Sequence, residues 1–404
     1  MEYTLLSSLF YQDKTTYEQT YQNRINSEST YKLDFTINEF PAFVMITHEI
    51  LENVQKIFEL NSELNMIEDK HLPKLAIDQY TKKCLVDEIK KTNDIESVYS
   101  TKKEIKRILN SPNTTKKNRF WGLVIKYQKI INGEKISLKT CSDIRTLYNE
   151  FALNDVLADN PDNMPDGELF RTESVLVRGS GKIIHEGMHP ESKIIESLSS
   201  SLNFLNDENY NFFIRIAVFH YMFGYIHPFY DGNGRMSRFI SSYLLSQKLN
   251  KLVSLRLSYT IKNKQGSYYK MFKVSNDEKN KGDLTYFVIR FLELIIESIE
   301  DLISALSFKS VKLAYYQDIC KKSFGTNKKL VILTFVFVQN ELFDDDPLDF
   351  KSLNYILNSS DNFKIGESTL RDLLKQLENQ DILIVDKTHG KYTYRIDLDK
   401  LENL

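Results

Sequence analysis

The chain has 404 residues, 42% of them hydrophobic, with 53 basic against 55 acidic side chains and a formal net charge of −2. That length predicts more than one folding unit, and the apolar content excludes disorder over most of it. The near-neutral balance gives no global sign of a nucleic-acid or membrane surface. Cys84, Cys141 and Cys320 are far apart with no CxxC pair, the pattern of reduced thiols. The start, MEYTLLSSLFYQDK, lacks the basic region of a signal peptide. The longest apolar run, Leu330 to Val338, is too short for a bilayer. A cytoplasmic protein without membrane contact is expected.

In chain order, apolar residues at three- and four-residue spacing (Phe43, Ile46, Ile50, Val54, Phe58) predict an amphipathic helix from about Phe40 to Leu64. Asp78 to Ile89 and Thr101 to Leu109 read the same way, and SPNTTKKN, residues 111–118, reads as a loop. Thr140 with Asp143 predicts an N-cap opening a helix. NDVLADNPDNMPDG, residues 154–167, reads as a long acidic loop. It leads to the one hairpin expected in the first three quarters, SVLVRG and KIIHEG around a turn at Gly179 and Gly181. Helices resume at Glu191. NYNFFIRIAVFHYMFGYI is apolar on nearly every face, a buried helix, with His220 as a packing and hydrogen-bonding residue.

Between that helix and the next, RMSRFISSYLLSQKL, stands HPFYDGNGRMSR, residues 227–238. Asp231-Gly232-Asn233-Gly234 lets consecutive backbone N–H groups face one concavity, and that nest runs into a helix N-terminus. Arg235 and Arg238, three apart, share one face. The pattern suits a polyphosphate, with Asp231 placed for a Mg²⁺ that bridges phosphates. His227 beside it, titrating near neutrality, suits a base that deprotonates a hydroxyl. Pro228 fixes the backbone after it, and Phe229 anchors the loop in the core.

Past Gly325 the order is helix, helix (Phe350 to Leu357), helix (GESTLRDLLKQLENQ) and a hairpin turned at His389-Gly390, the winged-helix order. Its third helix carries Arg371 and Lys375 but also Glu367, Asp372 and Glu378. That balance favours a protein contact over phosphate tracking along DNA.

HPFYDGNGRMSR resembles the signature of the Fic family, His-Pro-Phe-x-(Asp/Glu)-Gly-Asn-(Gly/Lys)-Arg-x-x-Arg, at every fixed position. FRTESVLVRG with KIIHEGMHPE resembles the family's flap hairpin, and SYYKMFKVSN its tyrosine-and-asparagine helix near the adenine. The resemblance implies a mainly α fold, a Fic-type helical bundle with a β-hairpin flap, followed by a small winged-helix domain. The divisions it implies are an N-terminal helical region at 1–117, a catalytic domain at 118–302, a linker helix at 303–325 and the winged helix at 326–404. It implies transfer of AMP from ATP, with Mg²⁺, to a Ser, Thr or Tyr hydroxyl of a target protein or of the chain itself. His227 is then the base and Asp231 the metal ligand. Gly232, Asn233 and Gly234 cradle the phosphates, which Arg235 and Arg238 contact. Tyr268 and Asn276 line the adenosine pocket, and the flap residues Val177, Arg178, Gly179 and Ser180 clamp the target.

KKTNDIESVYSTKKEI, residues 90–105, resembles the family's inhibitory helix, (Ser/Thr)-x-x-x-Glu-(Gly/Asn), at Thr92 and Glu96, with Ser97 in place of Gly or Asn. Glu96 would pair with Arg238 and exclude the ATP γ-phosphate, and in some relatives such a glutamate orients water for removal of AMP. Transfer of UMP, phosphocholine or phosphate, and a non-enzymatic regulator with the site as nucleotide sensor, stay open as alternatives. So do a homodimer and DNA or protein contact through the winged helix.

Overall fold

The computed structural model describes residues 3–113, 118–179, 182–359, 363–388 and 391–404. The centre of the loop expected at 111–118, the flap turn at Ser180-Gly181 and the turn at His389-Gly390 lie outside the described residues. The mainly helical expectation holds. The chain forms two compact units, Met1–Ser62 with Leu85–Asp301, and Glu63–Cys84 with Leu302–Leu404.

The first unit opens with α1 (Leu6–Gln12) and α2 (Lys14–Ile25), the latter capped by Asp13. The helix expected from Phe40 does not begin there. β1 (Thr30–Ile37) and β2 (Phe40–Met45) form an antiparallel hairpin, and α3 (His48–His71) starts only after it. Leu33, Phe35 and Ile37 alternate inward along β1, a two-residue period. In β2, the N–H of Phe43 donates to the Gly282 carbonyl at 3.1 Å, and its carbonyl accepts from Leu284 at 2.9 Å. Phe43 and Ile46 fit a helical spacing by coincidence, while the backbone of Phe43 is held by that second segment. The flap is therefore not the only hairpin of this region.

α4 (Lys74–Ile95) and α5 (Lys102–Asn110) follow. The stretch resembling one inhibitory helix over 90–105 is thus the end of α4, a turn and the start of α5, whose N-cap Thr101 accepts from Glu104. α6 (Trp121–Asn132) stops at Gly133, and α7 (Cys141–Phe151) begins at the expected Thr140 cap, a full capping box with Asp143. The acidic loop expected at 154–167 is partly helix. α8 (Leu153–Asp159) buries Val156, and the buried Asp155 carboxylate accepts the Phe120 N–H at 2.8 Å; a single 3-10 turn, Pro161–Asn163, follows, so the irregular part begins only at Met164.

β3 (Leu176–Gly179) and β4 (Lys182–Glu186) pair antiparallel as expected, and α9 (Glu191–Asn206) follows. α10 (Phe212–Ile226) is buried on nearly every face. α11 (Asn233–Leu245) is buried all round, not on one apolar side, with Ser237, Ser241 and Ser242 inside. α12 (Lys251–Ser254), α13 (Leu257–Asn263) and α14 (Gln265–Ser275) complete the bundle. α15 (Thr285–Phe324) supplies it with residues up to Asp301.

In the second unit, the apolar run Leu330 to Val338 lies within α16 (Lys328–Phe343). Beside it come β5 (Leu348–Asp349), α17 (Phe350–Asn358), α18 (Glu367–Asn379), β6 (Leu383–Thr388), β7 (Lys391–Ile396) and α19 (Leu398–Glu402). The sheet is antiparallel in the order β5-β7-β6. Arg395 of β7 grips Glu341 of α16 with two bonds of 3.0 Å, fastening sheet to helix. No helix among the described residues is long and apolar enough to cross a membrane.

Candidate active site

The elbow between α10 and α11 is built by its own backbone demands. His227 ends α10 in the left-handed region (φ 54°), and Gly232 opens α11 there too (φ 82°). A non-glycine residue at such φ needs holding in place, and Arg171 does so. Fully buried, it donates to the carbonyls of His227 (2.9 Å), Met188 (2.7 Å) and Glu173, and its own N–H reaches Pro228. Phe229 is buried, stacked on Tyr148 at 3.7 Å, the anchor expected of it. Asn233 spends its side chain on the loop itself, donating to the Phe229 carbonyl (2.7 Å) and accepting the Phe229 N–H (2.9 Å). What Asn233 can offer a phosphate is therefore its backbone.

The His227 ring is oriented by a long bond from Nδ1 to the Gly224 carbonyl, 3.4 Å. A carbonyl only accepts, so Nδ1 carries the proton and Nε2 is the free lone pair. Burial lowers the His227 pKa to about 4, which corrects the expectation of titration near neutrality. His220 is fully buried, its Nδ1 2.8 Å from Ser241 Oγ and its Nε2 2.7 Å from Tyr268 OH, and burial lowers its pKa to about 3. Tyr268 is thereby fixed from behind. Asn276 accepts from Tyr221 OH at 2.6 Å through Oδ1 and from Asn38 Nδ2 at 2.6 Å through its carbonyl.

Opposite stands the end of α4. Glu88, Thr92 and Glu96 recur every four residues, one stripe of the helix, and each meets a residue of the antiparallel α11 also spaced by four. Glu88 faces Ser242 (3.4 Å) and Thr92 Oγ1 accepts from Arg238 Nε (2.9 Å). Glu96 lies against Gly234, where an added Cβ would stand 2.1 Å from its carboxylate. Glu96 Oε1 is 2.8 Å from Arg238 Nη2, which also donates to the Thr92 carbonyl at 3.0 Å. Burial opposes the Arg238 charge most, but the Glu96 carboxylate, with Tyr268 and Tyr127, together outweigh it and raise the guanidinium pKa. Glu88 fixes the register: its buried carboxylate accepts from the N–H groups of Ser258 and Tyr259 at the start of α13.

Ser97 adopts φ 60°, the Val98 N–H bonds the Asn93 carbonyl at 2.9 Å and the Ser97 N–H the Asp94 carbonyl at 3.4 Å. This is a Schellman ending with Glu96 as C-cap and Ser97 at the left-handed position. It explains in physical terms why glycine or asparagine suits the residue after the glutamate. Ser97→Gly should relieve about 1 kcal/mol of left-handed strain and raise the melting temperature; a lower one would show that the turn does not demand this conformation.

A cavity of about 100 Å³ brings together Glu96, His227, Asn233, Gly234, Arg238, Tyr268 and Asn276 among the expected residues. Sites that take nucleotide-sized ligands are about 300–1,000 Å³, so with Glu96 in its wall this one is too small. Asp231, Gly232 and Arg235 stand outside its lining. Val177, Arg178 and Gly179 lie in β3, and Ser180 is outside the described residues. Sequence reasoning missed His185, Ser237, Tyr269 and Phe272 in the lining, and Arg171 and Glu88 behind it. A lone Arg in a polar loop and a lone Glu on a helix carry no pattern that singles them out.

Residues 142–245, from α7 to the end of α11, match the family model described as the Fic/DOC family. This stretch is similar to that family. Among solved structures, a Fic family protein from Desulfovibrio desulfuricans G20 is similar at 17% identity over 91% of this chain and 98% of that one, with a TM-score of 0.53. Fic-1 from C. elegans, a fragment, is 17% identical over 75% and 81% of the two chains, with a TM-score of 0.46. The former shares the fold. Within the matched residues 142–245 lie all the elbow residues from His227 to Arg238, whereas Glu96, Tyr268 and Asn276 reach the same cavity from outside them.

Proposed function

We propose that this chain transfers AMP from ATP to a hydroxyl side chain of a protein, and that Glu96 holds it at rest. The observation that carries the reading is Arg235. Its side chain is 1% exposed, yet Nε, Nη1 and Nη2 have no hydrogen-bond partner among the described residues, and the nearest carboxylate oxygen, on Asp231, is 4.0 Å away. A buried guanidinium without acceptors is costly, and at the N-terminus of α11 it suits an anion such as a polyphosphate. Tyr268 and Asn276, in the cavity with His227, suit the nucleoside end.

His227 Nε2 would take the proton of the target hydroxyl as its oxygen bonds the α-phosphorus. The bond from that phosphorus to the bridging oxygen breaks, and pyrophosphate leaves. Asp231, with a 41% exposed side chain, fits Mg²⁺, which is commonly held by one carboxylate together with phosphates and water. The ion would supply neutralisation of phosphate charge. Arg238, released from Glu96, would contact the γ-phosphate.

In the second unit, the order of α16, β5, α17, α18, β6 and β7 supports a winged helix. Its α18 has Arg371 beside Glu367 at 3.7 Å, together with Asp372 and Glu378, which supports a protein contact over DNA.

Incubation with Mg²⁺ and labelled ATP, UTP or CDP-choline tests the group transferred. Protein-bound label from ATP at the α-phosphate alone is expected; label from UTP or CDP-choline would instead support the sister chemistries. Arg235→Met should weaken ATP binding about tenfold or more while leaving the nucleotide-free chain at least as stable, since a buried guanidinium without hydrogen-bond acceptors is removed. Unchanged ATP affinity in a titration would remove Arg235 from the phosphate site.

A further inference from the structure

We infer that a groove beside the N-terminal hairpin docks an extended, basic segment of the protein that is modified. The inference rests on the proposal that the acceptor is a protein. The groove, of about 680 Å³, is walled by β1 with Asp34 and Thr36 on one side and by α9 with Lys193 and Glu196 on the other, Glu39 at the hairpin tip and Tyr225 at its end. Three features assign the occupant.

The first is charge. Asp34, Glu39 and Glu196 are exposed and make no ion pair or hydrogen bond with their side chains among the described residues, against the single cation Lys193. Three unengaged carboxylates in one groove complement lysine or arginine. The second is backbone. Among the described residues β1 has β2 as its only strand partner in a two-stranded sheet, and their pairing is interrupted between Lys32 and Thr36, the part that lines the groove. A sheet edge of this kind accepts an added strand, and an extended chain places alternate side chains against the carboxylates. The third is continuity with the catalytic cavity. Tyr225 walls both spaces. Its hydroxyl accepts the Asn38 N–H at 3.1 Å, its ring stacks on His185 of β4 at 4.3 Å, and it stands two residues before His227. A segment seated in the groove thus leads its neighbouring residues past the flap toward the base.

The test uses the full chain and two fluorescein-labelled synthetic peptides of identical length, one alternating lysine with valine and threonine, the other carrying glutamate for lysine. Read by fluorescence anisotropy, the basic peptide should bind about tenfold more tightly or better, and less so as salt rises. Asp34→Lys with Glu196→Lys, both exposed positions, should abolish or invert that preference while ATP affinity and melting temperature stay as in the wild type. Glu59→Lys on α3, outside the groove lining, should leave the preference intact. Equal binding of the two peptides, a preference that survives the double reversal, or equal loss in Glu59→Lys would overturn the docking groove. Because the readout is binding, it is independent of which group is transferred, so failure to transfer label from ATP and failure to prefer the basic peptide are distinguishable outcomes.

Discussion

His227→Ala is expected to lower transfer by about 10²–10⁴-fold, the range typical of losing a positioned base, with ATP affinity nearly unchanged. The split follows from where the ring sits. Among the described residues it bonds only the Gly224 carbonyl, through Nδ1, and the backbone strain at this position is carried by Arg171, which the substitution leaves in place. A fall in affinity as large as the fall in rate would make His227 a binding residue instead. The pH dependence adds an independent check. A base of pKa about 4 is already neutral at pH 6, so the rate should show no inflection from His227 between pH 6 and 8. Stability has its own sign. Burial lowers the pKa of His227 and of His220 below the unfolded value near 6.5, so between those values the unfolded chain binds more protons than the native one. Stability should therefore fall as pH drops below about 6.5, measurable as a declining melting temperature from pH 7 to 5.

The elbow was legible because its chemistry is local. A histidine, a carboxylate, glycines and arginines at fixed spacing between two apolar helices leave few readings. The cap at Thr140, the flap strands and the buried helix α10 were legible for the same reason, each being written within a few residues. β2 was not. Its extended backbone is fixed by Gly282 and Leu284, more than two hundred residues away, while Phe43 and Ile46 happen to continue the period of Ile50 in α3. Arg171 was invisible because its function is to bind carbonyls, which leave no trace in side-chain identity. The register of α4 on α11 was half-legible. Thr92 and Glu96 could be picked out, but Glu88 gains meaning only once Ser242, Ser258 and Tyr259 surround it.

That register gives the second large effect. Glu96→Gly removes the carboxylate 2.8 Å from Arg238 and the side chain pressed on Gly234, enlarging the cavity at the end where the γ-phosphate would lie. A charge-assisted hydrogen bond to a buried guanidinium is worth about 1.5–3 kcal/mol, so transfer should rise about tenfold to a hundredfold. Thr92 and Glu88 keep α4 on α11, so the gain should come without a large loss of stability. On the proposed function Arg238 would serve both states, held by Glu96 at rest and by phosphate when active. Glu96→Gly combined with Arg238→Ala should therefore not be hyperactive, a non-additivity that general loosening of α4 would not produce.

The most direct measurement follows label from ATP, carried at the α-phosphate, into protein, with Mg²⁺ and a cell lysate as acceptor, for wild type, Glu96→Gly, Arg238→Ala and the double variant. The expected result is weak labelling by the wild type, strong labelling by Glu96→Gly, and near-background labelling by both chains that lack Arg238. Labelling by Glu96→Gly no stronger than wild type, or undiminished in the double variant, would contradict a transferase held at rest by the Glu96–Arg238 pair.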